Sequence, residues 1–243
     1  MNITTKNFSA NRLSCRFFRH ILSVAAIFCL LPFLSPTQAL ATIVTYGMDT
    51  EFSGGKAPIG SAPWVLVTIN DFNLSGSVEL KISNPGLTAT ENVEELMLNL
   101  DPLLDPTNLV FSAPTKSRAF DTPLIGLATD SFKADGDGRY DILLDFTNGG
   151  PPNTFLGGDS IKYTISGIAT LNALSFFYLS DPAGGHGPFT SAAHVQNTGG
   201  GGFSGWITDG TGGGPDIPEP SSVVLLLMGA VGLLGYRWRR RKR

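Results

Sequence analysis

The chain has 243 residues, and residues 42–220 carry all 20 of its acidic side chains but only seven of its 17 basic ones, so this part has a net charge of −13. A body this acidic argues against nucleic acid as a partner, because nucleic-acid binding depends on Lys and Arg to neutralise phosphates. Both cysteines, Cys15 and Cys29, lie near the N-terminus, which excludes disulfides, cysteine nucleophiles and thiolate metal sites from residues 42–243.

Residues 1–41 have the order of a secretory signal peptide. A basic segment without acids is followed by an apolar run at residues 21–34 and then by the small residues Ala39 and Ala41. A permanent N-terminal anchor is the alternative, but 14 apolar residues fall short of the roughly 20 that a membrane span needs. We therefore predict cleavage after Ala41 and export of the remainder.

Residues 42–208 are enough for one domain with a hydrophobic core. Their apolar runs are short and separated by Gly, Pro, Asp and Asn, and some alternate strictly, with Val78, Leu80 and Ile82 on one face. This spacing predicts an all-β fold, an antiparallel β-sandwich with jelly-roll or immunoglobulin-like connections. The predicted strands cover residues 64–69, 77–83, 140–146, 160–166, 173–179 and 203–208.

The segment at residues 91–100 fits two structures. Val93, Leu96, Met97 and Leu100 have helical spacing, whereas Leu96, Leu98 and Leu100 also lie on one face of a strand. We favour the strand, because Asp101-Pro102 ends the segment abruptly and the surrounding residues read as β.

Three aspartates form the candidate metal site. Asp135, Asp137 and Asp141 lie in a stretch of alternating Asp and Gly, which can bring carboxylates together around a hard cation such as calcium. The stretch is not an EF-hand loop, since Arg139 and Tyr140 stand where a ligand and a glycine are required. The alternative, which we favour, is a hairpin turn at Asp-Gly. No cofactor is predicted, and calcium stays open.

Catalytic motifs are missing from the sequence. His186 and His194 are the only histidines after residue 41, and no third ligand or nucleophile lies at a recognisable spacing from them. Trp64 and Trp206 could stack on sugars, although core positions are more typical of such residues. We predict a protein that is not an enzyme. A secreted hydrolase with carboxylates distant in sequence is the remaining catalytic alternative.

The C-terminal end has three parts after a Gly-rich linker at residues 209–217. Pro218-Glu219-Pro220 comes first, an apolar stretch at 223–236 follows, and six of the last seven residues are basic. A helix over residues 221–238 would be about 27 Å long, just enough to span a membrane. Because basic residues stay cytoplasmic, the body would face outward.

This three-part end, in residues 218–243 of a chain with a signal peptide, resembles the PEP-CTERM sorting signal. The resemblance implies recognition at Pro218, Glu219 and Pro220 by exosortase, a membrane cysteine transpeptidase, followed by removal of the helix. It also implies a transient stay in the inner membrane before transfer to the cell surface or extracellular matrix. Proteins with this tail are associated with exopolysaccharide and biofilm in Gram-negative bacteria.

The expected partners are therefore exosortase, the membrane and extracellular polysaccharide. Two other functions remain open for the body: a carbohydrate- or calcium-binding adhesion module, and a secreted hydrolase.

Overall fold

A computed structural model of the chain describes residues 41–146, 150 and 152–210. Residues 1–40 of the predicted signal peptide, and the tail from residue 211, lie outside the described residues. The described part contains two short 3-10 helices, Pro106–Asn108 and Ala173–Phe176. Its strands are β1 (Ile43–Met48), β2 (Thr50–Glu51), β3 (Val65–Asn70), β4 (Val78–Ser83), β5 (Asn92–Leu98), β6 (Val110–Phe111), β7 (Thr115–Lys116), β8 (Leu124–Ala134), β9 (Asp137–Asp145), β10 (Phe155–Leu156), β11 (Ser160–Ser166), β12 (Ser191–Thr198) and β13 (Phe203–Thr208).

The strands form two antiparallel sheets. Sheet 1 has the order β1-β3-β4-β11-β6, with β7 also paired to β11. Sheet 2 has the order β2-β13-β12-β5-β9-β8, with β10 paired to β5. The predicted all-β sandwich is confirmed, while the choice between jelly-roll and immunoglobulin-like connections stays a prediction.

The strands of sheet 1 alternate cleanly between core and solvent. Val78, Leu80 and Ile82 of β4 are at most 1% exposed, and the polar residues between them face outward. The same alternation holds in β1, β3 and β11. Since successive side chains of a strand point to opposite faces, one face of sheet 1 is core and the other is open.

The core lies between the two sheets, and its edge contains a row of three aromatic rings. Phe155 of β10 is fully buried and stacks on Phe146, with 4.6 Å between ring centroids. Phe120 lies on its other side, at 5.1 Å. Aromatic pairs at such distances add to the stabilisation that burial alone provides.

The segment at residues 91–100 contains a strand, β5 (Asn92–Leu98), as favoured. β5 lies between β12 and β9 in the middle of sheet 2, and Leu96 and Leu98 are completely buried. Strand pairing on both sides satisfies its backbone groups, which overrides the helical spacing of its apolar residues.

The strand predicted at residues 173–179 is wrong. Residues 173–176 form a 3-10 helix, capped by reciprocal hydrogen bonds between Asn172 and Ser175. The helix is tied to sheet 1, because the hydroxyl of Tyr46 donates to the carbonyl of Phe176 at 2.5 Å. An apolar run this short does not distinguish a buried strand from a buried helical turn.

A partly buried ion pair holds the segment that precedes β8. The Arg118 guanidinium donates to both carboxylate oxygens of Asp159, at 2.8 and 2.6 Å, and also to the carbonyls of Thr154 and Pro152. The Asp159 side chain is 8% exposed and that of Arg118 is 32% exposed. This bidentate geometry is the strongest form of charge-assisted hydrogen bonding in proteins.

Candidate functional site

The predicted turn at Asp135-Gly136 joins β8 and β9. Ala134 pairs with Asp137 across it, and both central residues have positive φ, 49° for Asp135 and 79° for Gly136. A two-residue hairpin of type I′ requires this conformation, and Asp-Gly is a favoured sequence for it. The hairpin interpretation of this stretch is therefore confirmed.

Asp137 holds a glycine-rich loop against the base of this hairpin. Its Oδ1 accepts a hydrogen bond of 3.0 Å from the backbone N–H of His186. A Cβ at Gly184 would collide with the Asp137 carboxylate, so only glycine lets the loop come this close. The loop carries the exposed His186 side chain, and Asp137 itself is 5% exposed.

Asp141 accepts hydrogen bonds from two other backbone segments. Its Oδ2 accepts from the backbone N–H of Leu100 and its Oδ1 from that of Asp130, both at 2.9 Å. Asp141 is four positions beyond Asp137 in β9, about 13 Å at the usual rise per residue. Calcium ligands lie within about 2.6 Å of the ion, so these two carboxylates do not converge on one ion. No group of three or more His, Cys, Asp or Glu side chains is arranged to hold a metal ion among residues 41–146, 150 and 152–210.

An acidic cleft of about 280 Å³ lies beside Asp141. Asp130, Asp181 and Tyr178 also line it, and the Tyr178 hydroxyl donates to Asp101 at 3.0 Å. Burial raises the pKa of Asp130, and the nearby charges of Asp141 and Asp181 raise it further. The cleft therefore combines a partly exposed aromatic ring with several carboxylates, but it is not a site that the sequence singled out.

Both tryptophans proposed as sugar platforms are largely covered. Trp64 is 8% exposed and its Nε1 donates to the carbonyl of Gly60 at 2.9 Å. Trp206 is 9% exposed, because the imidazole of His194 stacks on it with 4.8 Å between centroids. Neither indole face is available to a ligand in this conformation.

His194 belongs to a polar cluster on the outer face of sheet 2. Its Nδ1 lies 2.9 Å from Glu94 Oε2, which also accepts a hydrogen bond from Gln196. Burial lowers the pKa of His194, although Glu94 and Asp135 oppose this effect. Burial thus favours the neutral imidazole, and the hydrogen bond with Glu94 orients the ring over Trp206. The register of β12 against β5 creates this contact, so no local sequence pattern could have indicated it.

Comparison with known families gives a match at the C-terminal end. Residues 216–242 match the family model of the PEP-CTERM protein-sorting motif. The chain carries a PEP-CTERM sorting signal. No curated protein and no solved structure is significantly similar to the chain.

The match includes Pro218, Glu219 and Pro220, as the resemblance predicted, and these residues lie outside the described residues. The motif marks an exported protein that exosortase processes at the membrane on its way to the cell surface. No helix within residues 41–146, 150 and 152–210 is long and apolar enough to cross a membrane. The helix predicted at 221–238, and Ala39 of the predicted cleavage site, fall outside those residues; Ala41 lies two residues before β1.

The body is held in place at the point where it leads into the tail. Asp209 follows β13 directly, and its carboxylate accepts hydrogen bonds from the hydroxyls of Thr190, Ser191 and Thr208. Burial raises the pKa of Asp209, and the hydroxyls partly offset that rise. The sandwich therefore remains ordered up to the residue at which the predicted linker begins.

Glu95 gives a test of the repulsion between carboxylates in sheet 2. Burial raises its pKa, and the like charges of Glu94 and Asp145 raise it further. The folded state thus binds this proton more tightly than the unfolded state, so stability falls as pH rises through the interval between the two pKa values. We expect Glu95→Gln to raise the melting temperature at pH 7 by a few degrees and to have almost no effect near pH 4.

Thermal unfolding of wild type and Glu95→Gln between pH 4 and 7 would check this expectation. Asp121→Asn, which removes an exposed carboxylate, is the matched control and should leave the melting temperature almost unchanged at both ends of the range. A destabilised Glu95→Gln variant at pH 7 would contradict the assigned repulsion.

Proposed function

We propose that this chain is a non-catalytic component of the bacterial cell surface or extracellular matrix, delivered by exosortase and associated there with exopolysaccharide. The sorting motif at residues 216–242 is the observation that carries the proposal. A signal of this kind specifies a destination, so the body needs to be a domain that works after delivery. A disulfide-free, acidic β-sandwich of one domain fits that requirement.

The arrangement of the body supports a scaffold role. Its two sheets share a continuous buried core, and the buried acids Asp137, Asp141 and Asp159 hold backbone groups or an arginine. Carboxylates occupied in this way are structural, since acid catalysis requires a carboxyl group free to reach a substrate.

Replacing Pro218-Glu219-Pro220 with three alanines tests the sorting step. We expect the variant to stay at its unprocessed mass in the membrane fraction, while wild type is processed and reaches the surface or the medium. Fractionation followed by mass spectrometry of both termini would measure this. Gly212, Gly213 and Gly214 replaced by alanines form the control, because that triplet lies just before the matched residues. Normal processing of the first variant would refute the proposal.

A carbohydrate-binding adhesion module is the second candidate, and the cleft at Tyr178 favours it. A half-exposed aromatic ring beside Asp130 and Asp181 offers both stacking and hydrogen bonds to sugar hydroxyls. A glycan array with wild type and Tyr178→Ala would separate a binder from an inert scaffold.

Calcium binding stays a prediction. Calorimetric titration with calcium would contradict it if neither heat nor a shift in melting temperature is observed. The hydrolase alternative is tested by activity screening of variants at Asp135, Asp137 and His186.

A further inference from the structure

The outer face of sheet 1 carries a concentration of positive charge in an otherwise acidic body. Lys81, Lys116 and Lys162 line one depression of about 310 Å³, together with Ser117, Ser160 and Glu79. We call this depression the lysine groove. Residues 42–220 contain only seven basic side chains against 20 acidic ones, so three of the seven lie at this single place.

The strand register places two of these lysines side by side. Lys81 of β4 pairs directly with Lys162 of β11, and directly paired residues share a face of the sheet. Two like charges in this arrangement destabilise a sheet. Residues 42–220 have almost three acids for every base and so had many ways to avoid such a pair. The pair therefore points to a ligand that compensates the repulsion.

The lysines are only partly neutralised by the protein. Lys162 Nζ lies 3.1 Å from Glu79 Oε2, and both side chains of that pair remain substantially exposed. Lys116 donates to the carbonyl of Phe120 and to the Thr122 hydroxyl, neither of which carries a charge. Lys81 is exposed and has no carboxylate within salt-bridge distance among the described residues. Lys116 pairs with the buried Ile161 and directs its ammonium group away from Lys81 and Lys162. The ammonium groups of Lys81 and Lys162 therefore share the lysine groove with one carboxylate, that of Glu79.

Hydroxyl groups extend the polar surface on both sides of the lysine pair. A single cross-strand row runs from Thr45 through Thr68, Lys81 and Lys162 to Thr115, one residue from each of five strands. With strands about 4.8 Å apart, the row is about 19 Å long. The row is long enough for an extended polymer to cross the open face of sheet 1. The polymer would meet the two lysines near the centre of the row and the threonine hydroxyls toward its ends.

We propose that the lysine groove binds an anionic polysaccharide through carboxylate or sulfate groups on its sugar units. The ammonium groups neutralise the acidic substituents, and the threonine and serine hydroxyls bond to the sugar hydroxyls. The groove volume is near the lower limit of about 300 Å³ for small-ligand pockets, which suits one charged sugar unit of a longer chain. Nucleic acid fits this groove poorly, because its affinity depends on neutralising many phosphates, and the groove offers few lysines and is lined otherwise by hydroxyl groups and Glu79. The inference deepens the proposed matrix association and rests on it.

Binding of the full-length protein in mild detergent to alginate, a polyuronate, would test the inference, with neutral dextran, a sulfated dextran and double-stranded DNA as comparisons. We expect alginate and sulfated dextran to bind in a salt-sensitive manner, and dextran and DNA not to bind. Lys81→Gln combined with Lys162→Gln should weaken binding about tenfold, which corresponds to about 1.4 kcal/mol. The melting temperature should change little, because exposed ion pairs contribute little to stability.

Lys56→Gln combined with Lys133→Gln is the matched control, since it removes the same charge from two exposed lysines outside the lysine groove. Equal loss in both double variants, equal binding of neutral dextran, or tighter binding of DNA would each overturn the inference.

Matrix retention in cells separates the lysine-groove inference from the proposed matrix association. A processed wild-type protein that is retained but binds no polyanion refutes the lysine groove alone, whereas one that leaves freely with the medium refutes matrix association.

Discussion

Replacing Arg118 with alanine is expected to lower the free energy of unfolding by about 3 kcal/mol, because it leaves the buried Asp159 carboxylate without its charged partner. The carbonyls of Thr154 and Pro152 lose a donor at the same time. Breaking such a pair is costly even where its net contribution relative to apolar residues is small, since the remaining carboxylate is buried and keeps only the Leu156 N–H as a donor. Urea unfolding followed by circular dichroism would measure the loss as a lower midpoint at constant slope.

Lys162→Ala provides the comparison for this experiment. It removes the exposed ion pair with Glu79, whose side chains are 42% and 33% exposed, and should cost no more than about 1 kcal/mol. Similar losses of unfolding free energy in the two variants would show that the Arg118–Asp159 pair does not stabilise the fold as its geometry indicates.

Phe155→Ala should be among the most damaging substitutions in the core, with an expected loss of about 3–5 kcal/mol. The ring is fully buried between Phe120 and Phe146, so its removal leaves a cavity and separates two aromatic contacts. Because β10 is only two residues long, little backbone pairing remains to hold this part of sheet 2 in place. Thermal and urea unfolding would both report the change.

Phe203→Ala is the matched control for this substitution. Phe203 begins β13 and is 53% exposed, so its truncation should change stability by no more than about 0.5 kcal/mol. A small effect at Phe155 would mean that the aromatic row does not contribute to the core as its burial indicates.

Strands with one buried face could be predicted from the sequence, because the alternation of apolar residues is local. β4 and β11 were foreseen in this way, and Asp135-Gly136 located the hairpin that β9 shares with β8. β8 and β12 were not foreseen. β12 has both faces partly covered and uses small or polar residues such as Ala192 and Ser191, so its sequence does not alternate.

The candidate sites also divide into those that a local sequence pattern predicts and those that only the fold creates. The sorting signal is a linear pattern, and three elements in sequence order were sufficient to predict it. The lysine groove is not linear: Lys81, Lys116 and Lys162 come from separate strands that only the pairing of β11 with β4 and β7 brings together. The possibility of calcium at Asp135, Asp137 and Asp141 rested on Asp spacing alone, and spacing says nothing about the direction of side chains that a strand distributes over about 13 Å.

The position of Asp209 has a mechanical consequence. The chain enters the tail from the end of β13, which lies between β12 and β2, and Thr42 lies at the far end of β1, about 20 Å away along that strand. A pull that reaches Asp209 in line with β13, against material bound elsewhere on the body, would act along that strand. The backbone hydrogen bonds of β13 run perpendicular to that direction, so tension would load them together in shear instead of opening them one after another. A domain held in this way resists detachment by flow more strongly than its equilibrium stability alone would suggest.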